Sequence, residues 1–327
     1  MRSVAVANTN IALVKYWGKR DKALNLPAVG SLSLTLEGLT TRTEVRFDGG
    51  LSADELELNG VRADDKSTGR IAKFLDIVRA RSGKKERARV ISANDFPTAA
   101  GLASSASAFA ALAVAATTAA GLELSPRELS ILSRRGSGSA ARSIFPGFSR
   151  MHRGFADDGS DSFAEALEGA DRMNVRLVLG VTAVGPKETL STAGMDHTAA
   201  TSPYFAEWVK SSEPDLAAAE RAIVAGDLEA LGVVTEQSCL TMHASAMAAR
   251  PAVVYFLGAT IDGYREVQAM RKAGVPAWFT CDAGPHIKAL TDAAHADEVA
   301  RRLALVPGVR STRVCAPGPA ARIVERA

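Results

Sequence analysis

Pro97-Thr-Ala-Ala-Gly-Leu-Ala-Ser-Ser-Ala-Ser107 runs straight into an alanine-rich stretch from Ala108 to Ala120. Small residues let backbone N–H groups approach an anion closely, serine hydroxyls can bind phosphate or Mg²⁺, and the helix that follows presents its positive dipole end at the same point. The segment therefore predicts a phosphate cradle at a helix N-terminus, with nucleotide phosphates as its natural guest. It lacks the Gly-Lys-Ser/Thr of a Walker loop and the Gly-x-Gly-x-x-Gly of a dinucleotide fold. The same residues, met without other signals, also make an ordinary tightly packed helix start.

Upstream of this loop, residues 87–93 predict a strand and residues 68–81 a helix with Ile71, Phe74, Leu75 and Val78 on one face. The front is β-rich: an apolar strand over 4–15, then two alternating strands over 31–36 and 43–47. Downstream, Gly121 ends the alanine-rich helix. Ser125-Pro-Arg-Glu128 combines a serine cap, proline at the first helical position and glutamate at N3, so a further helix runs from there to Arg134-Arg135, before a Gly-Ser-Gly-Ser turn. Strands follow over 149–153 and 175–184. The second half is helical over 204–210, 216–225, 228–240 and 261–273, with Pro214, Gly226, Pro251 and Gly274 as breaks. A last strand pair over 277–281 and 313–316 is separated by a helix over 287–305. The pattern predicts an α/β (α+β) fold in two closely joined lobes, residues 1–185 and 186–327, with no repeat and no polar linker.

The 327 residues, 47% hydrophobic and 23% charged, suffice for a large buried core. Thirty-nine basic against 36 acidic residues leave a formal charge of +3, too even a balance for a nucleic-acid binder. Cys239, Cys281 and Cys315 are odd in number and far apart, which argues against a disulfide framework or a zinc site and fits a reducing cytoplasm. No apolar run is long enough for a secretion signal or a membrane span.

Four further clusters carry potential chemistry. Asn10-Ile-Ala-Leu-Val-Lys-Tyr-Trp-Gly-Lys-Arg20 ends an apolar strand in cations and a hydroxyl, which suits a polyanion or, equally, a solvated basic turn. Arg134-Arg-Gly-Ser-Gly-Ser-Ala-Ala-Arg142 either sets backbone donors beside a guanidinium that can grip a carboxylate or is a plain helix-to-strand loop. Cys281-Asp-Ala-Gly-Pro-His286 places an acid after an apolar stretch, either as a base or as a turn residue. Lys187-Glu-Thr-Leu-Ser191-Thr-Ala-Gly-Met195 reads as a hydroxyl-rich surface loop. Met242-His243 falls in a helix, with His243 expected to be a packed or surface side chain rather than a catalytic one. The five histidines are scattered, which disfavours a protein-built zinc site.

Taken in order, Lys-Tyr-Trp-Gly-Lys, the small-residue loop, Arg-Arg-Gly-Ser-Gly-Ser-Ala-x-Arg, Met-His-Ala and Asp-Ala-Gly-Pro resemble the diphosphomevalonate decarboxylases of the GHMP kinase superfamily from Val6 to Pro319. That resemblance implies the GHMP kinase fold, two lobes around a deep cleft, with ATP and Mg²⁺ as cofactors and mevalonate diphosphate as the small-molecule substrate. The implied reaction phosphorylates the 3-hydroxyl and then loses CO₂ and phosphate to give isopentenyl diphosphate. It further implies a cytoplasmic homodimer without nucleic-acid or membrane partners. Residue by residue, Asp282 matches the family's catalytic acid, Lys15 the lysine beside it, and Arg142 the arginine on the substrate carboxylate. Tyr16, Lys19, Ser137, Gly138, Ser139 and Ser191 match substrate-holding positions. Ala100, Gly101, Leu102, Ser104 and Ser105 match the ATP loop, with Ser105 as the Mg²⁺ ligand, and Asn10 orients its neighbours. His286 stands where the family has Asn, and Leu26-Pro-Ala-Val-Gly-Ser31 replaces an Asn-bearing stretch. Related enzymes that act on mevalonate monophosphate, or only phosphorylate, share the scaffold; a catalytically silent nucleotide binder is the different-class alternative.

Overall fold

The computed structural model describes residues 1–96, 104–168, 173–182 and 189–327. The chain begins with strands β1 (Arg2–Val14), β2 (Lys19–Asp21), β3 (Leu26–Pro27), β4 (Ser31–Asp48), β5 (Glu55–Leu58) and β6 (Val61–Arg62). Helix α1 (Asp65–Ser82), strand β7 (Arg87–Asn94) and helices α2 (Ser104–Ala119) and α3 (Pro126–Gly136) come next. A 3-10 helix (Gly138–Ile144) leads into β8 (Phe148–Met151), β9 (Ala164–Ala166) and β10 (Val175–Val181). The remainder is α4 (Ser191–Thr201), α5 (Phe205–Ala225), α6 (Leu228–Met247), α7 (Gly258–Lys272), β11 (Ala277–Thr280), β12 (Ile287–Asp292), α8 (Ala296–Ala304), β13 (Ser311–Cys315) and β14 (Arg322–Arg326).

The strands form two main sheets. One runs β14-β1-β4-β7-β5-β6, with β8 paired to β4 and β9 to β8; the other runs β11-β12-β10-β13. Helices α1, α2 and α3 cover the first sheet, where Phe74, Val78, Ala110, Ala113 and Leu132 pack on Val45, Phe47 and Val90. The alanines of α2 let its axis lie close to β1 and β4, and a 2.7 Å hydrogen bond between the Thr41 and Ser107 hydroxyls pins that contact. In the second sheet the strand period of two assigns the faces. Leu177, Leu179 and Leu290 meet Ile11, Leu13 and Leu34 of the first sheet, whereas Val178, Ile287 and Ala289 turn towards α7 and α8. The two lobes thus share one apolar core, in which each fully buried leucine or isoleucine is worth roughly 1.5–3 kcal/mol.

Several sequence expectations are confirmed and several corrected. The Ser125–Glu128 capping box is present, with Pro126 opening α3. The two strands expected over 31–36 and 43–47 are one strand, β4, because Gly38 (φ +75°) takes up a bulge opposite Asn8 and Asn10 that keeps the pairing with β1 on either side. Pro214 does not break α5: Trp208, Ser212, Leu216, Ala219 and Ile223 continue one buried stripe through it, and that packing outweighs the roughly 3 kcal/mol a helix-interior proline costs. The helix expected over 287–305 is strand β12 followed by the short helix α8. Residues 287–291 are buried throughout, so their strand alternation is hidden in the sequence. The Gly-Ser-Gly-Ser turn is the lead into a 3-10 helix, and Ser191 to Met195 form the first turn of α4 rather than a loop. Strand β14, absent from the expectation, pairs with β1. The strands also cross the expected division at 185/186: β10 belongs to the second sheet and β14 to the first.

Helix α6 seats on β11 through Gly232, where any side chain would overlap the buried indole of Trp278. Gly232→Ala is therefore expected to cost about 1–3 kcal/mol of overpacking strain. A urea titration should show a lower midpoint with an unchanged slope; a wild-type midpoint would mean that the α6–β11 seam has slack.

Candidate active site

The C-terminal ends of β1 and β11, one from each sheet, converge between the lobes. Lys15 follows directly on β1, and its backbone N–H is fixed by the Ser238 hydroxyl of α6 at 3.0 Å. Asp282 lies two residues beyond β11 in a tight turn closed by the Gly284 N–H donating to the Asp282 carbonyl at 2.7 Å. From behind, α6 holds this turn: the Cys281 N–H donates to Cys239 Sγ at 3.1 Å, and His243 Nε2 sits 3.3 Å from the Cys281 carbonyl. Of the packed and surface alternatives His243 takes the packed one, and burial, reinforced by Lys15, pushes it down to about 3, so it is neutral at physiological pH.

Lys15 Nζ donates to Asp282 Oδ1 at 2.8 Å and to the Ala12 carbonyl at 2.8 Å. A second ammonium, that of Lys288, lies 3.2 Å from Asp282 Oδ2 as an ion pair. Both lysine side chains are at most 2% exposed, whereas the carboxylate keeps 22% of its surface open to the cleft. Burial works to raise the Asp282 carboxyl, but Lys15 and Lys288 together outweigh it and hold the group well below the ordinary carboxylate range.

Beside this triad the 3-10 helix presents Arg142. Its guanidinium is buried and held by neutral groups: Nε contacts Asn10 Oδ1 at 3.3 Å and the Ser33 hydroxyl at 3.0 Å, and Nη1 donates to the Ser31 hydroxyl at 2.8 Å. Among the described residues it has no carboxylate partner. Burial pushes its guanidinium down to about 10, so the cation persists at neutral pH. The Tyr16 ring lies 5.8 Å beneath it. Tyr16 packs against Gly138, where a Cβ would strike the phenol, and its buried hydroxyl has no hydrogen-bond partner among the described residues. Burial pushes the Tyr16 phenol up to about 12.

A chain of hydroxyls continues from Arg142 to the start of α2. Asn10 Nδ2 donates to the Ser139 carbonyl at 3.0 Å and to the Ser143 hydroxyl at 2.8 Å. Ser137 and Ser139 hydroxyls lie 3.2 Å apart, and Ser105 in the first turn of α2 lies 3.4 Å from Ser137. Ser104 and Ser105 stand in the first turn of α2, where backbone N–H groups have no partner within the helix, and the exposed Ser105 hydroxyl is a hard oxygen donor of the kind Mg²⁺ takes. Among the described residues no cluster of three or more His, Cys, Asp or Glu could hold a metal ion. Ala100, Gly101, Leu102 and Lys187 lie outside the described residues.

Lys19 begins the β2–β3 hairpin at the rim; burial lowers its ammonium, opposed by Asp196. Ser191 opens α4, whose Asp196 pairs with Lys22 of that hairpin at 3.1 Å. His286 is buried, and its Nδ1 accepts the Thr182 N–H at 3.2 Å, a bond that an amide oxygen would also make. Two residues escaped sequence reading. Lys288 alternates with Leu290 on the lobe-facing side of β12, a signal lost once that segment is taken as helix. Arg70 of α1 donates to the Gly136 carbonyl at 2.7 Å and adds positive charge near Lys19; nothing in its spacing points there.

Asp282→Asn leaves two buried ammoniums facing each other without a counter-charge. That variant is expected to lose on the order of 3 kcal/mol at pH 7. Because the folded carboxyl sits below its unfolded value, the stability it contributes is complete above about pH 4 and is lost as pH falls through the folded value. Urea midpoints of wild type and variant should converge as the pH is lowered below about 4; a gap independent of pH would mean that the loss is steric.

The chain matches family models described as the diphosphomevalonate decarboxylase-like N-terminal domain over residues 7–164 and the mevalonate 5-diphosphate decarboxylase C-terminal domain over residues 177–314. It is 37% identical over 304 residues to a diphosphomevalonate decarboxylase of Aspergillus fumigatus, covering 87% of this chain and 75% of that one. Among solved structures, the mevalonate diphosphate decarboxylase of Staphylococcus aureus superposes with a TM-score of 0.94 at 38% identity, over 99% of this chain and 98% of that one. A structure described as MDDEF in complex with MVAPP, AMPPCP and magnesium superposes with a TM-score of 0.93 at 37% identity, over 100% and 99%. A half-buried acid between two lysines, a buried guanidinium with no carboxylate partner among the described residues and a serine-lined helix start are thus set in a scaffold shared along its whole length, and the chain belongs to the diphosphomevalonate decarboxylase family of GHMP kinase fold.

Proposed function

We propose that this chain converts mevalonate 5-diphosphate and ATP into isopentenyl diphosphate, ADP, phosphate and CO₂. The observation that carries this reading is charge: Lys15, Lys288 and Arg142 are buried around one cleft with Asp282 as their only carboxylate neighbour among the described residues. Such an excess of buried cations is costly by itself and is offset by a substrate that brings several negative charges.

In this reading Arg142 grips the substrate's C1 carboxylate, and Tyr16, Lys19, Ser137, Gly138, Ser139 and Ser191 hold the substrate, mainly its diphosphate. Asp282 accepts a hydrogen bond from the 3-hydroxyl and so aims that oxygen at the γ-phosphorus of ATP. Held this strongly ionised, Asp282 is a weak base towards a free alcohol. It takes the proton once the P–O bond has formed and the oxygen has become acidic, in keeping with a loose phosphoryl-transfer transition state. Lys15 faces the charge on the moving phosphoryl group. The new C3 phosphate then leaves as the C1–C2 bond breaks: its electron pair becomes the C2–C3 double bond, and C1 departs as CO₂. Ala100, Gly101, Leu102, Ser104 and Ser105 cradle the nucleotide. Ser105 is the residue that would hold Mg²⁺ here, and the ion would supply charge neutralisation for the transferring group. A homodimer in the cytoplasm completes the proposal; three free, buried cysteines support the reducing compartment.

Purified protein given ATP, Mg²⁺ and mevalonate diphosphate should release one ADP and one CO₂ per substrate, with mevalonate 5-phosphate and mevalonate as controls. ADP without CO₂ would indicate a 3-kinase, preference for the monophosphate a different decarboxylase, and neither product a silent binder. Arg142→Lys replaces a planar fork with a point donor. Its loss of transition-state binding, about 2–4 kcal/mol, should lower kcat/KM for mevalonate diphosphate roughly 30- to 1000-fold. The KM for ATP should stay unchanged. A defect confined to the ATP KM would place Arg142 on the nucleotide side of the cleft.

A further inference from the structure

Lys288 has no part in the chemistry outlined above, yet it is among the most deeply buried cations of the chain. A structural ion pair needs one cation per anion, and Lys15 already provides it at 2.8 Å. The second ammonium, 3.2 Å from Oδ2, leaves the cluster with a net positive charge in a buried place, which stability alone does not favour. The excess has a purpose only when a second anion arrives. Strand β12 fixes Lys288 rigidly: residues 287–292 pair with β10, and Trp278 to Thr280 of β11 flank them on the other side. Lys15, by contrast, follows the end of β1 and is the cation assigned to the moving phosphoryl group.

We propose that Lys288 is a positioning residue, whose ammonium holds the Asp282 carboxylate in place and lets Lys15 be shared with the phosphoryl group in transfer. This rests on the reaction assigned above. With the nucleotide away, two ammoniums serve one carboxylate; with it in place, two ammoniums serve two anions. Without Lys288 the incoming phosphoryl charge would compete with Asp282 for a single ammonium, and repulsion between the two anions would drive the carboxyl towards protonation. The other groups around Asp282 do not supply a replacement. His243 from α6 is neutral, and burial raises the Cys239 and Cys281 thiols, the latter to about 12, so none is charged at neutral pH. Arg142 of the 3-10 helix is held by Asn10, Ser31 and Ser33.

The test is Lys288→Met, which keeps the length of the chain and leaves Lys15 and Asp282 as a neutral pair, with Lys288→Gln as a second variant. Three quantities are compared with wild type: melting temperature, the pH profile of kcat and kcat/KM, and the ¹³Cγ titration of Asp282 in protein carrying labelled aspartate, assigned by its loss in Asp282→Asn. The titration is recorded alone and with mevalonate diphosphate, Mg²⁺ and a non-hydrolysable ATP analogue. The proposal expects an undiminished melting temperature, kcat lowered roughly 10- to 100-fold, a KM for mevalonate diphosphate within about twofold, and an acid limb moved up by about one pH unit or more, matched by the ¹³C midpoint in the ligand-bound state. A ¹³C midpoint equal to that of wild type, or a loss of kcat uniform in pH, would overturn it. So would failure of both variants to fold, because the Lys15–Asp282 pair is held to suffice for that. If wild-type protein releases neither ADP nor CO₂, the assigned reaction falls, while the titration still decides what Lys288 does to Asp282.

Discussion

One carboxylate shared by two buried ammoniums is the interaction on which this structure turns. Lys15 comes from the first sheet, Asp282 and Lys288 from the second, so the cluster exists only when the lobes are docked. Taking these charges out of water costs several kcal/mol per ion, and the cluster persists because apolar packing around it holds the backbones. Leu177, Leu179 and Leu290 against Ile11, Leu13 and Leu34 supply that hold on the lobe-facing side. Helix α6 supplies it from behind, fixing Lys15 through Ser238 and the Asp282 turn through Cys239. Assembly of the fold and assembly of the acid are the same event.

Arg142 follows a complementary rule. A buried guanidinium paired with Asp or Glu would be satisfied before any ligand came. Here Asn10, Ser31 and Ser33 bond its Nε and Nη1 without cancelling its charge. The serines of the 3-10 helix and of α2 extend that neutral hydrogen-bonding surface towards Ser105. The cleft is therefore electropositive, with its donors fixed in advance, which suits a reaction that needs alignment and charge neutralisation more than covalent help.

Much of this was legible in the residues, and the exceptions share a cause. The capping box of α3, the alanine-rich helix and the cations after β1 depend on local chemistry, which adjacent residues reveal. The pairing of Lys15 with Asp282 spans most of the chain and became visible only through resemblance to a family. Lys288 was hidden because β12 is buried on both faces and loses the alternation that marks a strand. Pro214 misled because local propensity was outweighed by a stripe of tertiary contacts. Gly38 lets one long strand look like two. In each case the deciding free energy lay in packing between segments distant in sequence.

The apolar core common to both lobes also sets the mechanics of the molecule. A protein whose halves are joined by a thin hinge can swing shut over its ligand; here such a swing would tear Ile11 and Leu13 away from Leu177 and Leu290. The floor of the cleft is therefore held as one packed body, and the weakest tie lies at its margin. There the hairpin carrying Lys19 meets α4 through the Lys22–Asp196 pair, 3.1 Å long and with the lysine 69% exposed. An ion pair so open to water resists separation by less than about 1 kcal/mol. Thermal motion alone is enough to part it, so this pair does not lock α4 to the hairpin, which Arg20, Asn25 and Arg134 tie instead to the first lobe.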